Sequence, residues 1–467
     1  MLYLSTRGEA RKLGFADALL AGLARDGGLY VPEAMPQLER RAIEALAGEP
    51  YDGAAARIIL PFVDDALSAS DLNAMTHETY AGFRHAAIAP LVQIGDNLFA
   101  LELFHGPTLA FKDFAMQWLG RAMNRALRER GASATIVGAT SGDTGAAAIE
   151  AFAGQSQTDI FILYPHGRVS DVQRRQMTTV DRPNVHAIAI EGSFDDCQAI
   201  VKGLFNDLAF RDRLSLTGVN SINWARIVAQ IVYYFTSAAA LGAPLRRVSF
   251  STPTGNFGDI LAGWCAKRMG LPVERLVIAT NENDILARTL SSGEYRAREV
   301  VATQSPSMDI QVSSNFERLL FDAYGRDASA LRGLMANFAK ERSFAIAPGP
   351  LKTIREEFDA FAVDEASCAE EMRRVHRESG YLLDPHSAVG VHAARRAQAR
   401  DRATPMIALA TAHPAKFPQA VERATGLRPA LPAHLKDMME REERLTVVAN
   451  DQGAVQRFIA ERARAAA

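Results

Sequence analysis

Cysteine is scarce in this sequence: Cys197, Cys265 and Cys368 are the only three, and no CxxC pair occurs. That argues against a cysteine-based zinc site or a redox pair, and the low count suits a reducing compartment, so a cytoplasmic location is expected. There is no excess of basic charge either. The formal net charge of −2 argues against a nucleic-acid or membrane-surface protein, which would need a basic excess. Long apolar runs are also missing. The longest, IVYYFTSAAALG, is short and carries Thr236 and Ser237, so it reads as a buried helix rather than a membrane span. The opening MLYLSTRGEARKLGF has no apolar core and is not expected to act as a secretory leader. The histidines form no HExxH and no close ligand pair, so no catalytic metal is expected, and His105, His386 and His413 are assigned supporting roles.

What is present is an ordinary globular composition, 48% hydrophobic and 23% charged, over 467 residues, enough for two or three domains. The first 90 or so residues look mainly helical. FADALLAGLARDGG has helical spacing and a stop at Gly27 and Gly28, LYVPE is extended, and Tyr51 to Tyr80 is helical again. From about residue 91 the texture changes. Short apolar runs (ATIVGAT, DIFILYP, VHAIAIE, VSFSTP, LVIAT, PMIALAT) alternate with amphipathic segments such as AMQWLGRAMNRALRER and ILAGWCAKRM. Strands apolar on both faces, separated by helices, predict an α/β fold with parallel sheets. Ligands of such folds sit at the carboxyl ends of the strands. The charged, Ala-rich stretch from DMMEREERL onward is expected to be a surface helix.

Three strand-to-turn junctions therefore matter. After ATIVGAT come Ser141, Gly142, Asp143, Thr144 and Gly145 at a helix start, where free amides and two hydroxyls favour an anion; the same residues would also serve as a plain helix cap. After VSFSTP comes TGNFGD, in which Gly255 and Gly258 let the backbone approach a ligand and Asn256 adds an amide, as a phosphate cradle or as a structural turn. The Walker lysine spacing is absent. After PMIALA, Thr411 offers a hydroxyl at a strand end, to a ligand or to its own turn.

Lys112 stands out in LFHGPTLAFKDFAMQWL because arginine greatly outnumbers lysine in this chain. A lysine in apolar surroundings is more readily neutral, and a neutral amine is what imine chemistry requires; a packed stem with its head in water is the bland alternative. Arg226 follows Asn220, Ser221 and Asn223 at the head of an apolar helix and suits an anion, or belongs to a simple helix cap.

The ordered set FKDFA, SGDTG, NSINWAR, PTGNFGD and TAHPAKF, with YLSTRG and GLARDGGLYVP at the start, resembles threonine synthases of the fungal and enterobacterial type, from about Tyr3 to Phe417. The resemblance implies the tryptophan-synthase-β-like pyridoxal phosphate fold (fold type II). It divides the chain into an N-terminal domain over 1–90, a small domain over 91–240 and a large one over 241–467. It implies pyridoxal 5'-phosphate attached at Lys112, with Gly255, Asn256, Phe257 and Asp259 around the cofactor and Thr411 at its pyridine nitrogen. Ser141 and Thr144 would receive the substrate carboxylate, with Thr144 also near the leaving phosphate, and Ser221 and Arg226 would grip the phosphate of O-phospho-L-homoserine. A monomer or a homodimer fits.

Overall fold

The computed structural model describes residues 1–63 and 66–464. Its strands, in chain order, are β1 (Tyr3–Ser5), β2 (Tyr30–Pro32), β3 (Leu91–Gly95), β4 (Leu98–Glu102), β5 (Ala134–Ala139), β6 (Thr158–Pro165), β7 (Val185–Glu191), β8 (Leu216–Thr217), β9 (Val248–Pro253), β10 (Val273–Thr280), β11 (Glu294–Arg296), β12 (Ser343–Ala345), β13 (Phe358–Ala362), β14 (Met406–Ala410) and β15 (Thr446–Ala449). Two sheets dominate. A six-stranded sheet runs β13-β10-β9-β14-β4-β3 and a five-stranded one runs β15-β7-β6-β5-β8. All six expected strands are found, as β5, β6, β7, β9, β10 and β14. Every residue of β6, β9 and β14 is buried, which explains why they are apolar on both faces.

Within these two sheets pairing is parallel except at one edge, where β3 lies antiparallel to β4 through a tight turn that needs no crossover helix. At the centre of the larger sheet Ile407 lies opposite Phe250 on one side and Phe99 on the other. The sheets do not follow chain order: β3 and β4 join the strands of the second half, and β15 returns to the edge of the sheet that contains β5 to β7.

β15 corrects one expectation. The C-terminal stretch is not one surface helix. Thr446, Val447 and Val448 are β-branched and pair in parallel with Ile188 to Ile190 of β7, and only Gln452–Ala460 is helical. Val455 and Ile459 of that helix are buried against the core of the smaller sheet. The first helix, Phe15–Ala21, also ends earlier than its pattern suggested. It stops at Gly22, whose φ of 64° only glycine adopts without strain.

The N-terminal segment is packed onto the rest rather than appended. The hydroxyl of fully buried Tyr3 donates to Phe62 O at 2.7 Å, and the Tyr3 and Phe62 rings both flank Trp224. Asn223 Nδ2 donates to Leu19 O at 2.9 Å, while its Oδ1 accepts from Ala225 N and caps the helix Trp224–Ala240. Arg318 donates to Tyr30 O, and Thr6 Oγ1 to Glu317. The polar cluster ahead of Arg226 is thus held from the N-terminal side. No helix among the described residues is long and apolar enough to cross a membrane.

Candidate active site

The junctions that follow β4, β5, β9 and β14 converge at the carboxyl ends of their strands. Lys112 opens the helix Lys112–Glu129, is 9% exposed, and lies with Nζ 3.8 Å from Asp143 Oδ2. The turn before it is fixed by its neighbour Asp113, whose carboxylate accepts Thr108 N at 2.8 Å and Thr108 Oγ1 at 2.6 Å. Gly106 is obligatory here, because a Cβ would fall 2.5 Å from the Asp113 side chain. Phe111 N donates to Thr411 O at 2.9 Å, which sets the end of β14 beside Lys112.

The SGDTG turn is shaped by Thr140, whose Oγ1 accepts both Gly142 N and Gly145 N at 2.9 Å. Gly142 sits at φ 141°, and a Cβ there would strike Gln173. The helix Asp143–Phe152 begins with Asp143 itself, which is buried. Across the cleft Phe257 has φ 63°, a left-handed conformation unusual for a bulky residue, and it caps the helix Gly258–Arg268. Gly255 O accepts from Ser313 Oγ at 2.7 Å. Asn315 Nδ2 donates to Asn256 O at 3.0 Å and to Ser221 O at 3.2 Å, joining the glycine loop to the segment that carries Arg226.

Electrostatically the site is unusual. Arg226 is 4% exposed; Nη1 donates to Val219 O at 3.1 Å, Nε is buried without a partner, and it has no acidic partner among the described residues. Burial lowers its pKa from 12.5 to about 10, so it remains a cation at neutral pH. Burial also lowers the Lys112 pKa; Asp143 opposes that, and Lys416 and Arg226 reinforce it. Asp143 would be pushed up by burial, but Lys416, Lys112 and His386 outweigh that and hold it well below the usual carboxylate range.

Asp259 accepts from Tyr233 at 2.5 Å and from Tyr234 at 3.1 Å on Oδ1, while Oδ2 is buried with no partner. Burial pushes this carboxyl up to about 7 against the pull of both tyrosines and of Lys112. An unfolded aspartate titrates near ~3.9, so between that value and 7 the folded chain holds a proton that the unfolded chain has lost. Stability from this group therefore falls as pH rises through the interval. Asp259→Asn is expected to gain thermal stability over wild type between about pH 5 and about pH 8. Melting curves of the cofactor-free proteins would show the gap widening, and a constant gap would mean that Asp259 does not titrate there.

The residues expected at the site lie at the junctions after β4, β5, β9 and β14 and around the head of the helix Trp224–Ala240. The hydroxyls of Ser141, Thr144, Ser221 and Thr411 make no hydrogen bond among the described residues and remain open to a ligand. Of the partners around these residues, His386 was assigned a supporting role from the sequence, whereas Lys416, Ser307, Asp384 and Ser387 were not singled out. Lys416 Nζ lies 2.9 Å from Asp143 Oδ1, Ser307 Oγ donates to Asp143 Oδ2 at 3.3 Å, and His386 Nε2 accepts Ser307 N while its Nδ1 lies 2.7 Å from Asp384. Ser387 Oγ accepts Thr411 N at 3.0 Å and so steadies the end of β14. The scarcity of lysine that marks Lys112 applied equally to Lys416; Ser307 lies in an irregular segment with no pattern to reveal it.

An amine poised between a carboxylate and buried cations, a glycine loop at a helix start, unpartnered polar atoms on Arg226 and Asp259, and a free hydroxyl at a strand end fit an aromatic aldehyde that carries a phosphate. With the strand order, they define a pyridoxal-phosphate-dependent enzyme of fold type II. The family model for pyridoxal-phosphate-dependent enzymes matches residues 86–336. Those for the threonine synthase N terminus and C-terminal region match residues 2–80 and 387–459. The chain is 53% identical over 462 residues to the threonine synthase of Pseudomonas aeruginosa, covering 99% of this chain and 98% of that one. The crystal structure of PLP-bound threonine synthase from Brucella melitensis superposes with a TM-score of 0.97 at 59% identity, covering 99% of this chain and 100% of that one. Threonine synthase from yeast gives a TM-score of 0.94 at 39% identity, with 99% and 98% covered. The chain belongs to the threonine synthase family.

Proposed function

We propose that this protein converts O-phospho-L-homoserine and water to L-threonine and inorganic phosphate. The observation that carries the reading is Arg226, a buried cation with no acidic partner among the described residues, in a cleft that also holds Lys112. A buried charge is retained only where something pairs with it, and a dianionic phosphate ester supplies that partner.

When bound, pyridoxal phosphate supplies an electron sink conjugated to the substrate amine. Gly255, Asn256 and Phe257 offer backbone at a helix start to its phosphate. Asp259 is neutral below about pH 7 and can lie beside that phosphate without repelling it. Thr411 would offer the ring nitrogen a hydroxyl rather than a carboxylate, which would leave the ring less firmly protonated. Ser141 and Thr144 bind the substrate carboxylate at the start of the helix Asp143–Phe152.

Lys112 would hold the cofactor and, once the substrate is bound in its place, would be free to act as the base. Burial favours its neutral form, and Nζ takes first the α and then the β proton. Phosphate leaves the γ carbon with Arg226, Ser221 and Thr144 around its oxygens. A proton is then returned to the γ carbon, which becomes the methyl group; water adds its hydroxyl at the β carbon while its proton leaves on the phosphate, and Nζ returns a proton to the α carbon.

The test is to incubate the purified protein with pyridoxal phosphate and O-phospho-L-homoserine while following phosphate, threonine and 2-oxobutyrate together. Threonine equal to phosphate is expected. Phosphate with 2-oxobutyrate and ammonia would instead make the protein a phospholyase that does not capture water.

A further inference from the structure

Only two of the eight lysines are buried, and they share one carboxylate. Lys112 faces Asp143 Oδ2 at 3.8 Å, and Lys416 holds Oδ1 at 2.9 Å. Lys416 is completely shielded from solvent. Its ammonium donates to Thr108 O at 2.7 Å and to Gln176 Oε1 at 3.0 Å, and pairs with Asp143 as an ion pair. These partners lie on separate parts of the site. Asp143 opens the SGDTG helix, Thr108 is held by Asp113 in the turn before Lys112, Gln176 lies on the helix Asp171–Thr178, and Lys416 itself stands five residues beyond Thr411.

We propose that Lys416 is a positioning residue: it fixes the Asp143 carboxylate beside Lys112 without letting that carboxylate capture the Lys112 amine, and it ties the SGDTG turn to the turn carrying Thr411. The geometry supports both parts. The closer cation on Asp143 is Lys416, and the contact to Lys112 is longer than a hydrogen bond. Four groups act on Lys112: Asp143 and Asp259 favour its charged form, and Lys416 and Arg226 disfavour it. Apart from the two lysines, the charged or titratable group acting on Asp143 is His386, whose Nε2 accepts Ser307 N, so that its proton sits on Nδ1 toward Asp384. With Lys416 removed, Lys112 is the remaining cation that the carboxylate can reach by turning. Lys112 would then hold its proton to higher pH.

The inference rests on Lys112 being the reactive amine, and the experiment separates the two claims. In cofactor-free protein, the reactivity of Lys112 toward acetic anhydride is read by mass spectrometry against pH, for wild type, Lys416→Met and Lys416→Arg. The acid limb of kcat, which reports the substrate complex in which Lys112 is a free amine, is measured alongside it in the loaded enzymes. In Lys416→Met both limbs should move up by about one pH unit, a tenfold loss at fixed pH on the limb. Lys416→Arg retains the charge and should keep the wild-type limb while turning over more slowly. A Lys416→Met limb that stays in place while activity falls equally at every pH would reduce Lys416 to a structural residue and overturn the proposal. If Lys112 were not the reactive amine, Lys112→Ala would still acquire the cofactor's visible band, whatever Lys416 does. A crystal structure of the loaded wild-type enzyme gives a second reading that requires no variant to fold. Lys416 should still bond Asp143, and a pair separated by cofactor binding would contradict the proposal.

Discussion

Lys112→Ala is expected to abolish turnover and the visible absorbance that pyridoxal phosphate gives on binding to the wild-type protein. The amine has two tasks, holding the cofactor and moving protons at the α and β carbons. General acid–base catalysis alone contributes ~10²–10⁴-fold, so the combined loss should exceed 10³-fold. Folding should survive. Position 112 opens a long helix, alanine is the best helix former, and the change removes an amine whose burial disfavours its charge. The thermal midpoint of the cofactor-free variant should therefore equal or exceed that of wild type. Lost activity accompanied by a collapsed midpoint would point to a packing role, and a variant that kept both band and turnover would remove Lys112 from the chemistry altogether.

The framework around Lys112 was legible in the sequence wherever a local rule decides the structure. Central parallel strands are buried on both faces, so VSFSTP and PMIALAT announce themselves by composition, and the ligand-facing turns follow from strand polarity. Lys112, Thr411 and the two glycine-bearing turns could be placed for that reason. What local pattern does not carry is pairing between distant segments. β15 is four residues long, mostly exposed and preceded by a run of charge, and it becomes a strand only because β7 offers an edge. The contacts of Asp143 with Lys416 and of Ser307 with His386 join segments far apart in the chain, and each residue alone has an ordinary reading as a helix cap, a surface lysine or a loop serine. Arg226 lay between these cases. Its polar run was visible, but its burial without a carboxylate among the described residues emerges only when the helix Trp224–Ala240 is packed against the N-terminal segment and the sheets.

Arg226→Met should lose the phosphate-bearing substrate while keeping the cofactor. A hydrogen bond to a charged group contributes ~1.5–3 kcal/mol, and loss of two of them lowers kcat/KM by about 10²–10⁴-fold. The visible band of bound pyridoxal phosphate should persist, because the cofactor's phosphate is assigned to the backbone of the glycine loop and not to this side chain. The same variant should be no less stable than wild type without ligand. Arg226 gives up its hydration for one backbone carbonyl and leaves Nε unpaired, so an apolar chain of similar length removes a desolvated charge rather than a compensated one. A ligand that pairs with the arginine restores the balance, and binding to the folded state alone raises its stability as the ligand concentration passes Kd. Inorganic phosphate should accordingly raise the melting temperature of wild type and compete with substrate, and it should do neither in Arg226→Met. A variant that lost activity yet still gained stability from phosphate would place the anion elsewhere in the cleft, with Ser141, Thr144 and the start of the helix Asp143–Phe152 as the next site to test.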